Sequence, residues 1–193
     1  VQFLEAGGVT VQRTYQFNGN DASFRNFYAG YHDENRAVGD STSKVQIREE
    51  IKNSEANHLG MPLPSGRLRL YRRETTGQLQ FVGESMIQHT PADQSVQVVS
   101  GEAFDLTAKR RQTDFHVNNT AHTMDETFEI VLSNAKDIPV VIHDVERMNR
   151  AENWDVTDKS GDFTKKDSHT IDFPVSVPAK GQATLTYSVR YTW

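Results

Sequence analysis

The sequence predicts an all-β protein of antiparallel sheets, and three observations carry that prediction. Apolar and polar side chains alternate with period two along many short runs. The cleanest sets Ala183, Leu185, Tyr187, Val189, Tyr191 and Trp193 against Thr184, Thr186, Ser188, Arg190 and Thr192. Clusters of Gly, Pro, Asn and Asp punctuate these runs, and no long segment keeps helical spacing. The hydrophobic fraction is 36% and the mean hydropathy is -0.65, a lean composition that suits sheets with one wet face.

Taken in order, Val1–Glu5 reads as a short strand closed by Gly7-Gly8. Val9, Val11, Tyr15 and Phe17 then alternate with Thr10, Gln12, Thr14 and Gln16 up to the turn at Asn18-Gly19-Asn20. Residues 21–43 stay open between a short helix and an irregular aromatic loop. Phe24, Phe27, Tyr28 and Tyr31 share a helical face, but Gly30 and the aromatics are poor helix formers.

Val45, Ile47 and Ile51 mark a half-exposed strand. Residues 57–66 then bring the chain stiffly through Pro62 and Pro64, neither of which donates to a ladder, to a turn at Ser65-Gly66. The strand from Arg67 to Arg73 forms a hairpin with Leu79-Gln80-Phe81-Val82 across Thr75-Thr76-Gly77. Its arginines Arg67, Arg69, Arg72 and Arg73 read as a solvated face paired with cross-strand carboxylates.

Val96-Gln97-Val98-Val99 is a strand ended by Ser100-Gly101, and Phe104, Leu106 and Ala108 begin the next. Further strands follow around Phe128–Leu132, Ile138–Val145, Trp154–Val156 and Ile171–Val177. The organisation expected is an N-terminal β domain or layer over 1–99 and an immunoglobulin-like β-sandwich over 100–193, because the second half supplies about seven strand segments. The cysteine–tryptophan–cysteine signature of antibody domains is absent.

Composition excludes several functions. Without cysteine there is no disulfide, thiol nucleophile or zinc–thiolate site. The net charge of -5 divides into 10 basic against 11 acidic residues over 1–100, and 11 against 15 over the remainder. No basic field emerges, so nucleic acid is not an expected partner. No apolar run approaches the roughly 20 residues of a membrane span. The chain opens on Val1 without a charged-then-apolar leader and reads as a piece of a longer protein.

Several separated blocks resemble one family. The block over 52–72 centres on Asn57-His58-Leu59-Gly60-Met61-Pro62-Leu63-Pro64-Ser65-Gly66. Others are Leu79-Gln80-Phe81-Val82-Gly83-Glu84, His89-Thr90-Pro91, Gly101-Glu102-Ala103-Phe104-Asp105-Leu106, Lys165-Lys166-Asp167 and Tyr187-Ser188-Val189-Arg190-Tyr191-Thr192-Trp193. In this order they resemble a bacterial family of unknown function whose members are often described as mucoidy-inhibitor-like and carry the region at their C-terminus. The resemblance spans most of 44–193, and 18–43 departs from it by expansion. It implies a β fold and an extracytoplasmic setting in a bacterium, at the periplasm or cell surface. It supplies no catalytic residues.

The candidate sites follow from residue chemistry. Phe24, Phe27, Tyr28, Tyr31 and Trp154 are the candidate ligand-binding aromatics, suited to stacking on a surface glycan or anchoring a protein partner; the competing expectation is that they cap the sheets. His116, His122, Asp125 and Glu126 supply metal-ligand types, but at a spacing that matches no established motif. His143 reads as a partly buried, satisfied histidine. No nucleophile elbow, phosphate loop or dinucleotide fingerprint occurs. The expectation is a non-enzymatic interaction module without cofactor, set against a carbohydrate-binding module and a hydrolase with an unrecognised carboxylate or histidine site.

Overall fold

A computed structural model describes residues 4–19 and 41–193. The helix-or-loop alternative over 21–43 therefore falls, up to residue 40, outside the described residues, and residues 41–43 are neither helix nor loop but strand. Among those described, the chain is all β apart from one 3-10 turn at Glu55–Asn57. No helix there is long and apolar enough to cross a membrane.

The strands are β1 (Gln12–Asn18), β2 (Ser41–Lys52), β3 (Gly66–Arg73), β4 (Leu79–Ile87), β5 (Ser95–Asn118), β6 (Thr123–Asn134), β7 (Val140–Arg147), β8 (Asn153–Lys159), β9 (Thr164–Lys165), β10 (Thr170–Val177) and β11 (Gly181–Thr192). A nine-stranded sheet runs in the order β8-β11-β6-β5-β2-β1-β7-β10-β9, and β3 pairs with β4 alone. Every pairing with a defined register is antiparallel. Two compact units divide the chain: Val1–Tyr15 with Gln46–Glu102, and Gln16–Val45 with Ala103–Trp193.

In the first unit, the proline stretch is fixed by two asparagines. Leu63, between Pro62 and Pro64, uses its own N–H and C=O in a one-rung ladder with Thr90, at 2.8 and 2.9 Å. The buried Asn53 supplies what the prolines cannot. Its Oδ1 accepts from Gly60 N at 3.0 Å, and its Nδ2 donates to the carbonyls of Met61 and Pro91, each at 2.9 Å. Gly60 has φ +96 and lies so close to the Glu55 backbone that a Cβ would sit 2.8 Å from Glu55 N, so this turn requires glycine. Leu63 then joins Val96 and Val98 in a small core covered by Leu68, Leu70 and Ile87 from β3 and β4.

Two expectations need correction here. Residues 4–11 are not strand, although Val9 and Val11 alternate. The Asn57 side chain takes both backbone groups of Thr10, accepting from its N at 2.6 Å and donating to its O at 3.0 Å, in the place of a neighbouring strand. Nor does Ser100-Gly101 end a strand: β5 runs unbroken through it for 24 residues. Gly101 has φ +149, a conformation glycine adopts without strain, and the strand continues through it.

The second unit folds back upon itself. β10 and β11 are far apart in the sheet order, yet the rings of Phe173 and Tyr187 lie 5.4 Å apart. Phe128 meets Tyr187 at 5.3 Å and Phe163 meets Phe173 at 5.4 Å, forming an aromatic row between facing strands. Leu106, Ala108, Ile130, Leu132, Ile142, Ile171 and Val189 complete the core. Asn134 ties two loops together here, donating from Nδ2 to Ile138 O at 2.9 Å and to Pro178 O at 3.0 Å.

Asn53→Ala is expected to lower the unfolding free energy by about 1–3 kcal/mol, because it removes three hydrogen bonds to part-buried backbone groups of the loop. Urea denaturation gives the magnitude, and amide exchange at Gly60 should accelerate. Unchanged stability and exchange would show that the loop is held by something else.

Candidate functional site

Two places concentrate polar or aromatic chemistry: the interior of the second unit and the outer face of β3 and β4. In the interior, alternation along β7 turns Ile142, Asp144 and Glu146 inward and leaves His143 and Arg147 outside. Arg110 of β5 meets Glu146 as a fork, Nε to Oε1 at 2.9 Å and Nη2 to Oε2 at 3.1 Å, and Nη2 also donates to Tyr187 Oη at 3.2 Å. The guanidinium carbon stands 3.6 Å over the Phe128 ring.

Burial works against the Arg110 charge, but Glu146 outweighs it and raises the pKa further above its ordinary value. Burial also lifts the Tyr187 hydroxyl well above its usual range. Gly19 leaves room for this arrangement, since a Cβ there would lie 1.8 Å from Glu146 Oε1.

Asp144 is the discordant member. Both of its carboxylate oxygens are buried without a hydrogen-bond partner among the described residues. Burial, and then the neighbouring Glu146 charge, push its pKa well above the ordinary carboxylate value, and the pull of Arg110 does not compensate. Its surroundings favour the neutral, protonated form. With Arg110, Asp144 and Glu146 all buried, substrate does not reach these groups. Their work is structural, fixing how the facing strands meet.

The sequence-predicted metal residues separate. His116 lies opposite Asp125 across β5 and β6, and Asp125 is held by a bidentate pair with Arg190 at 2.7 and 3.0 Å. Glu126 points the other way, into the interior, and accepts from Arg150 Nε at 3.0 Å and Gln112 Nε2 at 2.9 Å. His122 sits in the turn between, edge-on to Trp193. No group of three or more His, Cys, Asp or Glu side chains that could hold a metal ion occurs among the described residues.

Of the candidate aromatics, Phe24, Phe27, Tyr28 and Tyr31 lie outside the described residues. Trp154, on β8, donates from Nε1 to Ser168 O at 3.0 Å, and Lys165 Nζ lies 4.4 Å from its ring centroid. One ring face is thus already occupied by a cation. His143 is half-buried and paired with Asp172 at 3.1 Å, while Lys166 Nζ also reaches Asp172 Oδ2 at 3.0 Å.

A nucleophile–base pairing unsuspected from the sequence is Ser65 with His89, Oγ to Nε2 at 3.4 Å. The Ser65 backbone N donates to His89 Nδ1 at 3.2 Å, making Nδ1 the acceptor. A neutral imidazole then carries its proton on Nε2, so it donates to the hydroxyl and cannot abstract its proton. The tautomer is wrong for a general base.

The outer face of β3 and β4 offers more. Register sets Arg67 beside Met86, Arg69 beside Glu84, Tyr71 beside Phe81 and Arg73 beside Leu79, with a bulge after Leu70 that keeps the later rungs on the same face. The exposures of Tyr71, Leu79, Phe81 and Met86 are 52%, 55%, 53% and 67%. Glu84 bridges Arg67 at 3.2 Å and Arg69 at 3.1 Å, which accounts for two of the arginines as the sequence suggested. Tyr71 and Phe81 meet edge to face, at 5.6 Å and 65°. Sequence alternation exposed the arginines but not this apolar stripe, because Phe81 and Leu79 change face only through the bulge.

No family model, curated protein or solved structure matches this chain.

Asp144 holds its proton to higher pH in the folded state than in the unfolded chain, which releases it above about pH 4. The group's contribution is therefore most favourable below that pH and is lost as pH rises toward the folded pKa. Asp144→Leu is expected to raise stability at pH 7 by about 1–3 kcal/mol and to flatten its decline above pH 4. Glu146→Gln, which leaves Arg110 without its counter-charge, should cost about 3–5 kcal/mol. Urea titrations from pH 4 to 8 measure both, and a destabilised Asp144→Leu with an unchanged slope would refute the neutral-acid assignment.

Proposed function

We propose that this chain is a non-enzymatic interaction module of a larger bacterial envelope protein, and that it docks a protein partner through the outer face of β3 and β4. The observation that carries this reading is the run of four adjoining exposed rungs in which arginine, tyrosine, phenylalanine, leucine and methionine are interleaved. Arginine, tyrosine, phenylalanine and methionine are enriched at protein interfaces, and tyrosine and arginine among the residues that dominate binding energy there. Burial of the Arg110–Glu146–Asp144 group and the donor tautomer at His89 favour binding over turnover. The envelope setting rests on the family resemblance of the separated sequence blocks.

A surface glycan is the rival occupant. The Tyr71–Phe81 geometry favours protein, because rings inclined at 65° do not make a flat platform for a sugar.

Tyr71→Ala and Phe81→Ala are expected to leave stability within about 0.5 kcal/mol, as exposed positions do. Each should weaken partner binding by about tenfold or more. A photo-crosslinker at position 81 in native cells should give discrete protein adducts, whereas one at exposed position 109 should not. Turnover on a hydrolase panel that is lost in Ser65→Ala, or glycan-array binding that is lost in Tyr71→Ala, would replace the proposal with its rivals.

A further inference from the structure

Beyond β3 residue 70 the hairpin leaves its core, and residues 71–81 are exposed on both faces. Two guanidiniums sit on this projecting part. Arg73 donates to Gly77 O at 3.2 Å, and neither Arg72 nor Arg73 forms an ion pair with a described residue. Arg67 and Arg69 differ, because both already share the Glu84 carboxylate. The tip therefore joins Arg73 on the outer face and Arg72 on the opposite face, neither of them ion-paired with a described residue, to the apolar group Tyr71, Leu79 and Phe81, within a chain whose net charge is -5.

We propose that the projecting end of β3 and β4 receives an acidic, apolar protein segment that wraps the tip, its carboxylates paired with Arg73 on the outer face and Arg72 on the opposite one, and its apolar side chains laid on Tyr71, Leu79 and Phe81. This rests on the docking role proposed above and names the chemistry of the partner. Charge complementarity selects a carboxylate-bearing occupant, and arginine's planar fork accepts carboxylates bidentately. The apolar rungs require that such a segment also carry Leu, Ile, Phe or Trp.

Two other anionic surfaces fit less well. Nucleic acid binding of this kind calls for bases stacked on ring faces, and here one ring presents its edge to the other. It would also place phosphates beside Glu84, in the middle of the same face. Seating the face on an anionic bilayer would draw Glu84, together with its two arginine partners, toward the headgroups.

The test is selection of a phage-displayed random 12-residue peptide library on the whole chain, with the variants R72E/R73E and Y71A/F81A as parallel targets after thermal melting shows each to be folded. The wild-type chain is expected to enrich peptides with two or more Asp or Glu flanking a large apolar residue. Recovery of those peptides should fall at least tenfold on each double variant. Enriched peptides that are neutral or basic, equal recovery on R72E/R73E, or no enrichment at all would overturn the acidic partner.

Peptides that depend on Tyr71 and Phe81 but not on Arg72 and Arg73 would overturn this inference and leave the docking face standing. Peptides indifferent to both pairs would overturn both. Co-sedimentation with phosphatidylglycerol vesicles, or binding of a 20-nucleotide oligothymidylate, abolished by R72E/R73E would transfer the site to a membrane or to nucleic acid.

Discussion

A charge inside a folded chain must be answered by an opposite charge, and the second unit is arranged around that requirement. Arg110 on β5, Glu146 on β7 and Tyr187 on β11 come from three separate strands, and their hydrogen bonds can all form only when the sheet has turned back over itself. Apolar packing among Phe128, Phe173 and Tyr187 tolerates small displacements, whereas a two-pronged guanidinium–carboxylate contact tolerates few. The fork therefore specifies one alignment of the facing strands out of several that would bury similar area. Gly19 belongs to the same specification, because a larger residue would occupy the carboxylate's place.

The first unit meets the matching requirement for backbone groups. Pro62 and Pro64 remove two donors from a stretch that must still cross the surface of a small core. Asn53 and Asn57 replace strand-to-strand hydrogen bonds with side-chain amides, which present a donor and an acceptor much as a peptide does. Asparagine thus does locally what a further strand would otherwise do.

Much of the fold was legible from alternation. The closing strand, the β3–β4 hairpin and the wet arginine face all follow from period two and a Gly-containing turn. Alternation failed where context overrode it. Phe104 shares its parity with Leu106 and Ala108 but is 94% exposed, because pairing with β6 begins only at Leu106. Asp144 and Glu146 look like the solvated positions of a strand, and nothing local announces that their side of β7 is the interior. Arg110, distant in sequence, makes the burial of Glu146 tolerable, while Asp144 is carried inward without a hydrogen-bond partner among the described residues. The metal-type residues failed differently: Asp125 and Glu126 are neighbours along the chain, and adjacent strand residues face opposite ways.

The margins of the nine-stranded order carry a last consequence. β8 and β9 are its outermost strands, the places where unpaired peptide groups invite a foreign chain to extend a sheet. The Trp154 indole reaches from one margin to the Ser168 carbonyl beside the other, and the Lys165 ammonium lies across its ring. A bulky aromatic and a charge thus stand together where the two margins meet, the kind of side chains that discourage addition of a foreign strand.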